Sequence, residues 1–179
     1  MFELKSLGDD RLDDGFGQVL LWRVRLVDHT GTLGGIPRFS LAIHKPGKDL
    51  VAEIPGPDTS TNRTFEDGTR QYEAAYTTES RAYPMEIETG TYTARGGNRA
   101  PSPLGGTLLR LVFAPPIAVA PKLGELTHLG ILRIEINEVK GKGEVIFTQA
   151  IEHDRVVEQA DHETFRSRYP TVAAGLRSN

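Results

Sequence analysis

The amino-acid sequence predicts an all-β protein, an antiparallel β-sandwich with a short C-terminal helical segment. Apolar residues recur at every second position in at least seven short segments, which is the pattern of strands with one buried face. The chain also holds 19 glycines and 11 prolines, enough to place turns between many short strands. After Glu152 the period of the apolar residues changes. A run of short strands followed by one helical segment favours a sandwich.

The most regular strand is predicted at Gln18–Asp28. Its apolar residues share one parity and its arginines the other: Leu20, Trp22, Val24 and Leu26 against Arg23 and Arg25. The same alternation, bounded by Gly and Pro turns, predicts further strands in the first half of the chain at Arg38–His44, Leu50–Ile54, Tyr72–Tyr76 and Tyr83–Ala94.

Three consecutive strands are predicted in the second half of the chain, at Thr107–Ala114, Leu129–Ile136 and Val145–Ile151. Lys140–Gly143 separates the last two and supplies the positive-φ residues that a hairpin turn needs. Residues 115–121 contain three prolines, which cannot donate to a central ladder, so this stretch is predicted to cross extended at a sheet edge.

Three stretches are predicted to lack regular structure. Residues 1–17 are polar and punctuated by glycine, and they predict a flexible acidic arm that is dispensable for folding. Pro55–Gln71 has Phe65 as its one large apolar residue and predicts a mobile surface loop. Arg95–Gly106 predicts a second irregular loop. The expected organisation is an arm at 1–17, a sandwich at 18–153 and a helical segment at 154–179.

The helical segment has two candidate N-caps, Asp154 and Asp161. Phe165 and Tyr169 are four residues apart and would share one face of a helix that ends at Pro170. We expect this segment to fold back onto the sandwich with Phe165 as its buried anchor, because a sandwich has an open end or edge that must be covered.

The charge distribution argues against a nucleic-acid partner. The net charge is −3, and residues 1–17 hold five acidic and two basic residues. Subtracting these from the totals of 24 and 21 leaves 19 of each sign elsewhere, so no basic footprint for phosphates remains. No apolar run reaches the ~18 residues of a transmembrane segment. No signal peptide precedes the first strand, which predicts a cytoplasmic protein unless a leader has been removed.

The chemistry-bearing residues predict neither a catalytic nor a metal site. There is no cysteine, which excludes disulfides, thiolate ligands and a thiol nucleophile. His153 and His162 each lie between two acidic residues, but nine positions in a straight helix put them on opposite faces. No Gly-x-Ser-x-Gly elbow or phosphate-binding loop is present, so no cofactor is predicted.

The candidate binding residues are Arg95, Asn98 and Arg99, which cluster in the second predicted loop. Guanidinium groups recognise carboxylates and phosphates, and sandwich loops gather at the two ends of the fold where ligands usually bind. These residue types predict a protein or small-ligand site in this loop.

Two motifs resemble known families. Met85–Tyr92 is similar to the strand turn of transthyretin-like and carboxypeptidase-regulatory-like sandwiches, with Thr89 where those modules carry proline. Residues 119–134, followed by the acidic stretch Asp161–Pro170, resemble small uncharacterised envelope lipoproteins of bacteria, although this chain lacks their lipidation cysteine. The resemblance implies a transthyretin-like or immunoglobulin-like sandwich in an exported, periplasmic setting.

Three functional hypotheses follow. The first is a non-catalytic binding or accessory module of the bacterial cell envelope, with an unknown protein or small ligand. The second is a structural subunit that docks by an edge strand, which an exposed apolar edge would favour. The third is a metal-assisted hydrolase, which would need three or more His and acidic side chains converging on one point.

Overall fold

The computed structural model describes residues 4–31, 36–47, 50–54, 57–81, 84–95, 107–120, 122–140 and 144–178. In chain order its elements are β1 (Leu4–Ser6), β2 (Gln18–Asp28), β3 (Ile36–His44), β4 (Leu50–Ile54), β5 (Thr59–Thr64), β6 (Arg70–Ser80), β7 (Met85–Arg95), β8 (Thr107–Val119), β9 (Glu125–Lys140), β10 (Glu144–Glu152), α1 (Arg155–Arg168), α2 (Pro170–Gly175) and β11 (Arg177–Ser178).

The strands form two sheets, which we call the large and the small sheet. Among the described residues the large sheet has the order β1-β6-β2-β9-β10, with β5 also paired to β6 and β11 to β9. The small sheet has the order β4-β3-β7-β8. The prediction of a mainly β protein with a short C-terminal helical segment is therefore confirmed.

The large sheet is mixed, which differs from the antiparallel sheet that the sequence predicts. β2 and β9, the two neighbouring strands at its centre, run parallel, with Val19 opposite Leu126 and Asp28 opposite Ile136. Alternation of apolar residues reports which face of a strand is buried but carries no information on its direction. The pairing partner lies more than a hundred residues away, beyond any local signal.

The inner faces of the two sheets share one apolar core. The large sheet contributes the apolar residues that alternate along β2, from Leu20 to Leu26. The small sheet contributes residues of β3, β7 and β8 such as Phe39, Ile87 and Phe113. Trp22 and Tyr76 stack in the core at a ring-centroid distance of 4.2 Å. The alternation in the sequence arises because these positions face the opposite sheet.

A second, smaller core lies on the outer face of the large sheet, where the helices cover one end of it. Side chains from the sheet and the preceding arm meet apolar side chains of the helical segment: Leu7, Val19, Leu21 and Leu126 against Phe165, Tyr169 and Val172. Phe165 is only 2% exposed, and its ring lies 5.5 Å from that of Tyr169. The C-terminal segment therefore packs on the large sheet through the pair that its helical spacing predicts.

Of the two candidate N-caps, only Asp154 begins a helix, and this helix, α1, runs without a break to Arg168. Asp154 caps α1 by accepting hydrogen bonds from the backbone N–H groups of Val156 and Val157, at 2.9 and 3.2 Å. The helix continues through Asp161, so the prediction of a second N-cap there is wrong. Its side chain is instead used in a tertiary contact with β2.

The N-terminal segment is built into the fold, in contrast to the predicted flexible arm. β1 pairs with the end of β6, and Leu4 and Leu7 are each 3% exposed in the larger and the smaller core, respectively. Lys5 Nζ lies 3.3 Å from the Glu79 carboxylate. The Asp10 carboxylate accepts hydrogen bonds from two backbone N–H groups of the first turn of α2, each at 2.9 Å.

The segment 55–71 contains a strand where the sequence predicts a loop. β5 pairs antiparallel with β6, although all six of its residues are exposed. A strand that buries neither face shows no apolar alternation, which is why the pattern does not reveal it. The proline-rich stretch at 115–119, by contrast, belongs to β8 at the edge of the small sheet, as the prolines predict.

A bulge at Gly130 interrupts β9. Leu21 of β2 lies opposite His128, whereas Arg23, two residues on, lies opposite Ile131. The extra residue places both His128 and Ile131 on the outer face. Gly130 has a φ of +90°, and a Cβ built there would lie 2.6 Å from the carbonyl oxygen of Glu152.

Replacement of Gly130 by alanine is therefore expected to destabilise the protein by about 1–3 kcal/mol or more, because positive-φ strain and a backbone clash combine. Gly8→Ala is the control, since a Cβ there meets nothing within 4 Å. Urea denaturation of both variants measures the difference, and equal stabilities would contradict the bulge.

Candidate functional site

The predicted binding loop lies mostly outside the described residues. Arg95 ends β7, but its side chain is not described, and neither are Asn98 and Arg99. The hypothesis of a ligand site in this loop stays a prediction.

The outer face of the large sheet carries a ladder of alternating charges beside the area that the helices cover. Glu73 of β6 lies between two arginines of β2, at 3.0 Å from Arg23 and 2.8 Å from Arg25. On the other side, Glu152 of β10 lies 3.5 Å from Arg25 and 3.1 Å from Arg133 of β9. Arg23, Arg25 and Arg133 are therefore each paired with acidic residues of the sheet itself.

The ladder ends under α1 in a two-point contact between Arg23 and Asp161. The guanidinium donates from Nε to one carboxylate oxygen at 2.8 Å and from its NH2 nitrogen to the other at 2.5 Å. The third guanidinium nitrogen donates to Glu73 at 3.0 Å. This fork-to-carboxylate geometry fixes both side chains and connects the helix to the centre of the sheet.

His128 extends the same contact, and both of its ring nitrogens are engaged. The backbone N–H of Gly130 donates to Nδ1 at 2.9 Å, so the ring proton must be on Nε2, which donates to Asp161 at 2.9 Å. The His128 side chain is buried. A histidine with both nitrogens held in this way has none available as a general base, and the Asp161–His128 pair is therefore a structural contact.

His162 of α1 stacks on His128 with a ring-centroid distance of 6.0 Å. Burial lowers the pKa of His162, and the neighbouring His128 and Arg166 lower it further. Glu158 and Asp161, on the same helix, act in the opposite direction. Because its pKa lies below the ordinary value, His162 is uncharged at neutral pH.

The contacts of Asp161 predict that the protein loses stability as the pH falls. Burial opposes ionisation of Asp161, but the hydrogen bonds from Arg23 and His128 and the charge of Arg23 outweigh it and lower its pKa to about 2, against 3.8 for an unperturbed Asp. The unfolded state thus takes up the proton first as the pH falls. The contribution to stability, on the order of 2 kcal/mol, is present above pH 3.8 and is lost between 3.8 and about 2.

His162 adds a second loss of stability on acidification, which begins at a higher pH than that of Asp161. Its folded-state pKa lies below 6.5, so stability falls as the pH drops below 6.5, where the unfolded state binds the proton and the folded state does not.

Chemical denaturation across both windows should show the difference in unfolding free energy between wild type and Asp161→Asn shrinking below pH 3.8. Glu163→Gln, an exposed neighbour, is the control, and a pH-independent difference would refute this role of the charge.

A cleft of about 180 Å³ opens beside this contact, between α1 and the strands β2, β5 and β6. One wall is the helix face formed by Asp161, Thr164, Phe165 and Arg168, which follow the i, i+3, i+4, i+7 spacing. The opposite wall and the floor come from the start of β5 and the outer face of the sheet: Asp58, Thr59, Leu21, Arg23, Ala75 and Thr77.

Several polar groups around the cleft have no partner among the residues that the structure describes. Five side chains make no hydrogen bond or ion pair with any described residue: Asp58, Thr59, Thr77, Thr164 and Arg168. The guanidinium of Arg168 lies 5.3 Å over the Tyr169 ring, a contact that leaves its N–H groups available. Convergent polar groups in a concave site beside aromatic side chains are typical of small-ligand pockets.

The histidines and acids singled out in the C-terminal segment do not converge. His153 lies 2.9 Å from Glu158, whereas His162 contacts His128. In the described part of the chain, no three His, Asp or Glu side chains are placed to hold a metal ion. None of the helices described there is long and apolar enough to cross a membrane.

Comparison of the chain with protein-family models, with curated proteins and with solved structures finds no match. The function therefore has to be inferred from the geometry of the chain itself.

Sequence reasoning missed the residues that form the cleft. Arg23 appears in the sequence as the polar side of a strand and Asp161 as a helix cap, and 138 positions separate them. The one local signal is that Asp161, Thr164 and Arg168 share a helix face with buried Phe165. Polar residues next to an apolar anchor lie at the border of the helix–sheet contact, where a cleft can open.

Proposed function

We propose that this chain is a non-catalytic β-sandwich module that binds a small polar ligand in the cleft between α1 and the large sheet. The observation that carries the proposal is the set of five polar side chains that line the cleft and make no hydrogen bond or ion pair with a described residue. Polar side chains that line a concave site and are not used in contacts within the protein are available to a ligand.

The neighbouring contacts support binding over catalysis. The Asp161–His128 pair has the composition of a catalytic dyad, but a backbone N–H occupies the nitrogen that would take a proton. The Arg23–Asp161 fork at the edge of the cleft makes the site rigid, which reduces the entropy lost on binding.

The finer fold and the setting belong to the same proposal. Two sheets that share a core, with a C-terminal helix packed on the outer face of one of them, support the transthyretin-like or immunoglobulin-like sandwich that the strand motifs imply. The same resemblance implies the bacterial cell envelope, which fractionation of cells that express the native gene would test. Recovery in the cytoplasmic fraction alone would reject that setting.

The binding proposal is tested by titrating ¹⁵N-labelled protein with sugars, organic acids, amino acids and polyamines. At least one class is expected to shift the amide signals of residues 58–59, 75–77 and 161–168. Thr164→Trp, which fills the cleft from an exposed helix position, should abolish the shifts. Ser167→Trp, exposed on the same helix but outside the cleft, should leave them unchanged. If no class moves these signals, the proposal is wrong.

One observation favours assembly as an alternative function. β10 ends the strand order of the large sheet, and Ile146 and Ile151 on it are 39% and 45% exposed. An edge with apolar side chains can pair with the edge of a second copy of the chain. Sedimentation over a range of concentrations tests this: self-association that Ile146→Lys removes would support it, and a wild-type protein that stays monomeric would exclude it.

A further inference from the structure

The charges around the cleft fall into two groups. Arg23 and Asp161 neutralise each other in the two-point contact, so neither offers a full charge to a ligand. Asp58 and Arg168 make no ion pair with any described residue. The cleft therefore offers one unpaired negative and one unpaired positive group, carried by different elements of the fold.

The two unpaired charges act on the same space. Burial raises the pKa of the Tyr169 hydroxyl, and Arg168 and Asp58 act on that hydroxyl in opposite directions. Tyr169 lines the cleft and is held by a hydrogen bond of 3.2 Å to the carbonyl oxygen of Leu7. Asp9, which does not line the cleft, raises this pKa as well, whereas Asp58 and Arg168 both line the cleft, on its opposite walls.

We propose that the cleft takes a small zwitterion of the free amino-acid type, with its carboxylate on Arg168 and its ammonium group on Asp58. This inference rests on the proposed function, since it names the ligand class of the same site. A guanidinium fork matches a carboxylate through two hydrogen bonds, and a carboxylate accepts readily from an ammonium group.

Charge balance favours a zwitterion over a single ion. An anion at Arg168 would be repelled by Asp58, and a cation at Asp58 would be repelled by Arg168. A zwitterion meets an opposite charge at both ends and brings no net charge into a site that is already neutral. The unpartnered hydroxyls of Thr59, Thr77 and Thr164 can complete the hydrogen bonds of either end.

The volume of the cleft points to the same class. About 180 Å³ is well above the ~10–15 Å³ that a cavity needs to hold one water molecule. This space accommodates the backbone and a short side chain of one amino acid, but it is small for an oligosaccharide or a folded peptide. Leu21, Ala75 and Phe165 in the lining give a short apolar side chain a surface to contact.

The experiment compares glycine with its two halves. Amide shifts of residues 58–59, 75–77 and 161–168 are followed during titration with glycine, acetate, methylammonium and glycerol. Glycine is expected to bind in the cleft about tenfold or more tightly than acetate or methylammonium, because each half lacks one charge-assisted contact. Glycerol, which is neutral, is expected to be weaker still.

Two charge variants assign the ends of the ligand. Arg168→Gln should remove the preference for glycine over methylammonium, and Asp58→Asn should remove the preference for glycine over acetate. Arg155→Gln and Glu66→Gln are matched controls, since both residues are exposed and lie outside the cleft. Unchanged preferences in both cleft variants would overturn the assignment.

The outcomes separate this inference from the proposed function. If glycerol, acetate or a sugar shifts the cleft signals and glycine is not preferred, the zwitterion class is wrong and the binding module stands. If glycine binds but shifts signals elsewhere, the site is wrong. If neither these probes nor the wider panel moves the cleft signals, both proposals fail together.

Discussion

Deletion of residues 1–15 is expected to leave the protein largely unfolded at room temperature. The deletion removes the Leu4 and Leu7 side chains from the two cores, and truncation of one buried leucine typically costs ~2–5 kcal/mol. It also removes β1, which pairs with β6. The Asp10 carboxylate, which accepts hydrogen bonds from backbone N–H groups in the first turn of α2, is lost as well. The summed loss is comparable to the total stability of a typical domain, about 5–15 kcal/mol.

Point variants separate packing from the effect of shortening the chain. Leu4→Ala and Leu7→Ala should each lower the unfolding free energy in urea by several kcal/mol, because both side chains are almost fully buried. Asp9 is exposed and lies next to Asp10, which makes the contact with α2. Asp9→Ala should change the unfolding free energy by less than about 0.5 kcal/mol. A deletion variant as stable as the full chain would mean that the segment is a dispensable arm after all.

Replacement of Phe165 by alanine is expected to cost about 3–5 kcal/mol, the usual cost of truncating a buried phenylalanine. The side chain is 2% exposed and lies between Tyr169 and the outer face of the large sheet, so its loss leaves a cavity at the centre of the helix–sheet contact. The same variant should weaken the Arg23–Asp161 contact, because Phe165 holds the helix that carries Asp161.

Arg166→Ala is the neighbouring control for this prediction. Arg166 is exposed, and its side chain makes one hydrogen bond to Ser178, so its removal should cost less than about 1 kcal/mol. Urea denaturation of the two variants gives both values. Small and equal losses would mean that the C-terminal segment contributes little to the stability of the fold.

The elements that the sequence predicts well are those with one face in the core between the sheets. Gln18–Asp28 has the same bounds in the sequence prediction and in the structure, because every second side chain of β2 packs against the opposite sheet. Phe165 and Tyr169 are predictable for the corresponding reason, since helical spacing reports a buried helix face.

The missed elements lack this periodic burial. Leu4 and Leu7 point into different cores and are three residues apart, so they do not show the alternation by two that reveals a strand. β5 buries no face. The contacts that form the cleft, such as Arg23 with Asp161, depend on tertiary packing of elements far apart in the chain, and the residue types alone do not bring them together.

The parallel pairing of β2 with β9 constrains how quickly the chain can fold. Val19 pairs with Leu126, a sequence separation of 107 residues, and the large sheet has no continuous centre until both strands are in place. Closing so long a loop costs entropy before the strand contacts repay it, which places the protein among the slow folders of high contact order. During synthesis, β2 leaves the ribosome about a hundred residues before β9, and the edge of β2 that pairs with β9 stays unpaired until then.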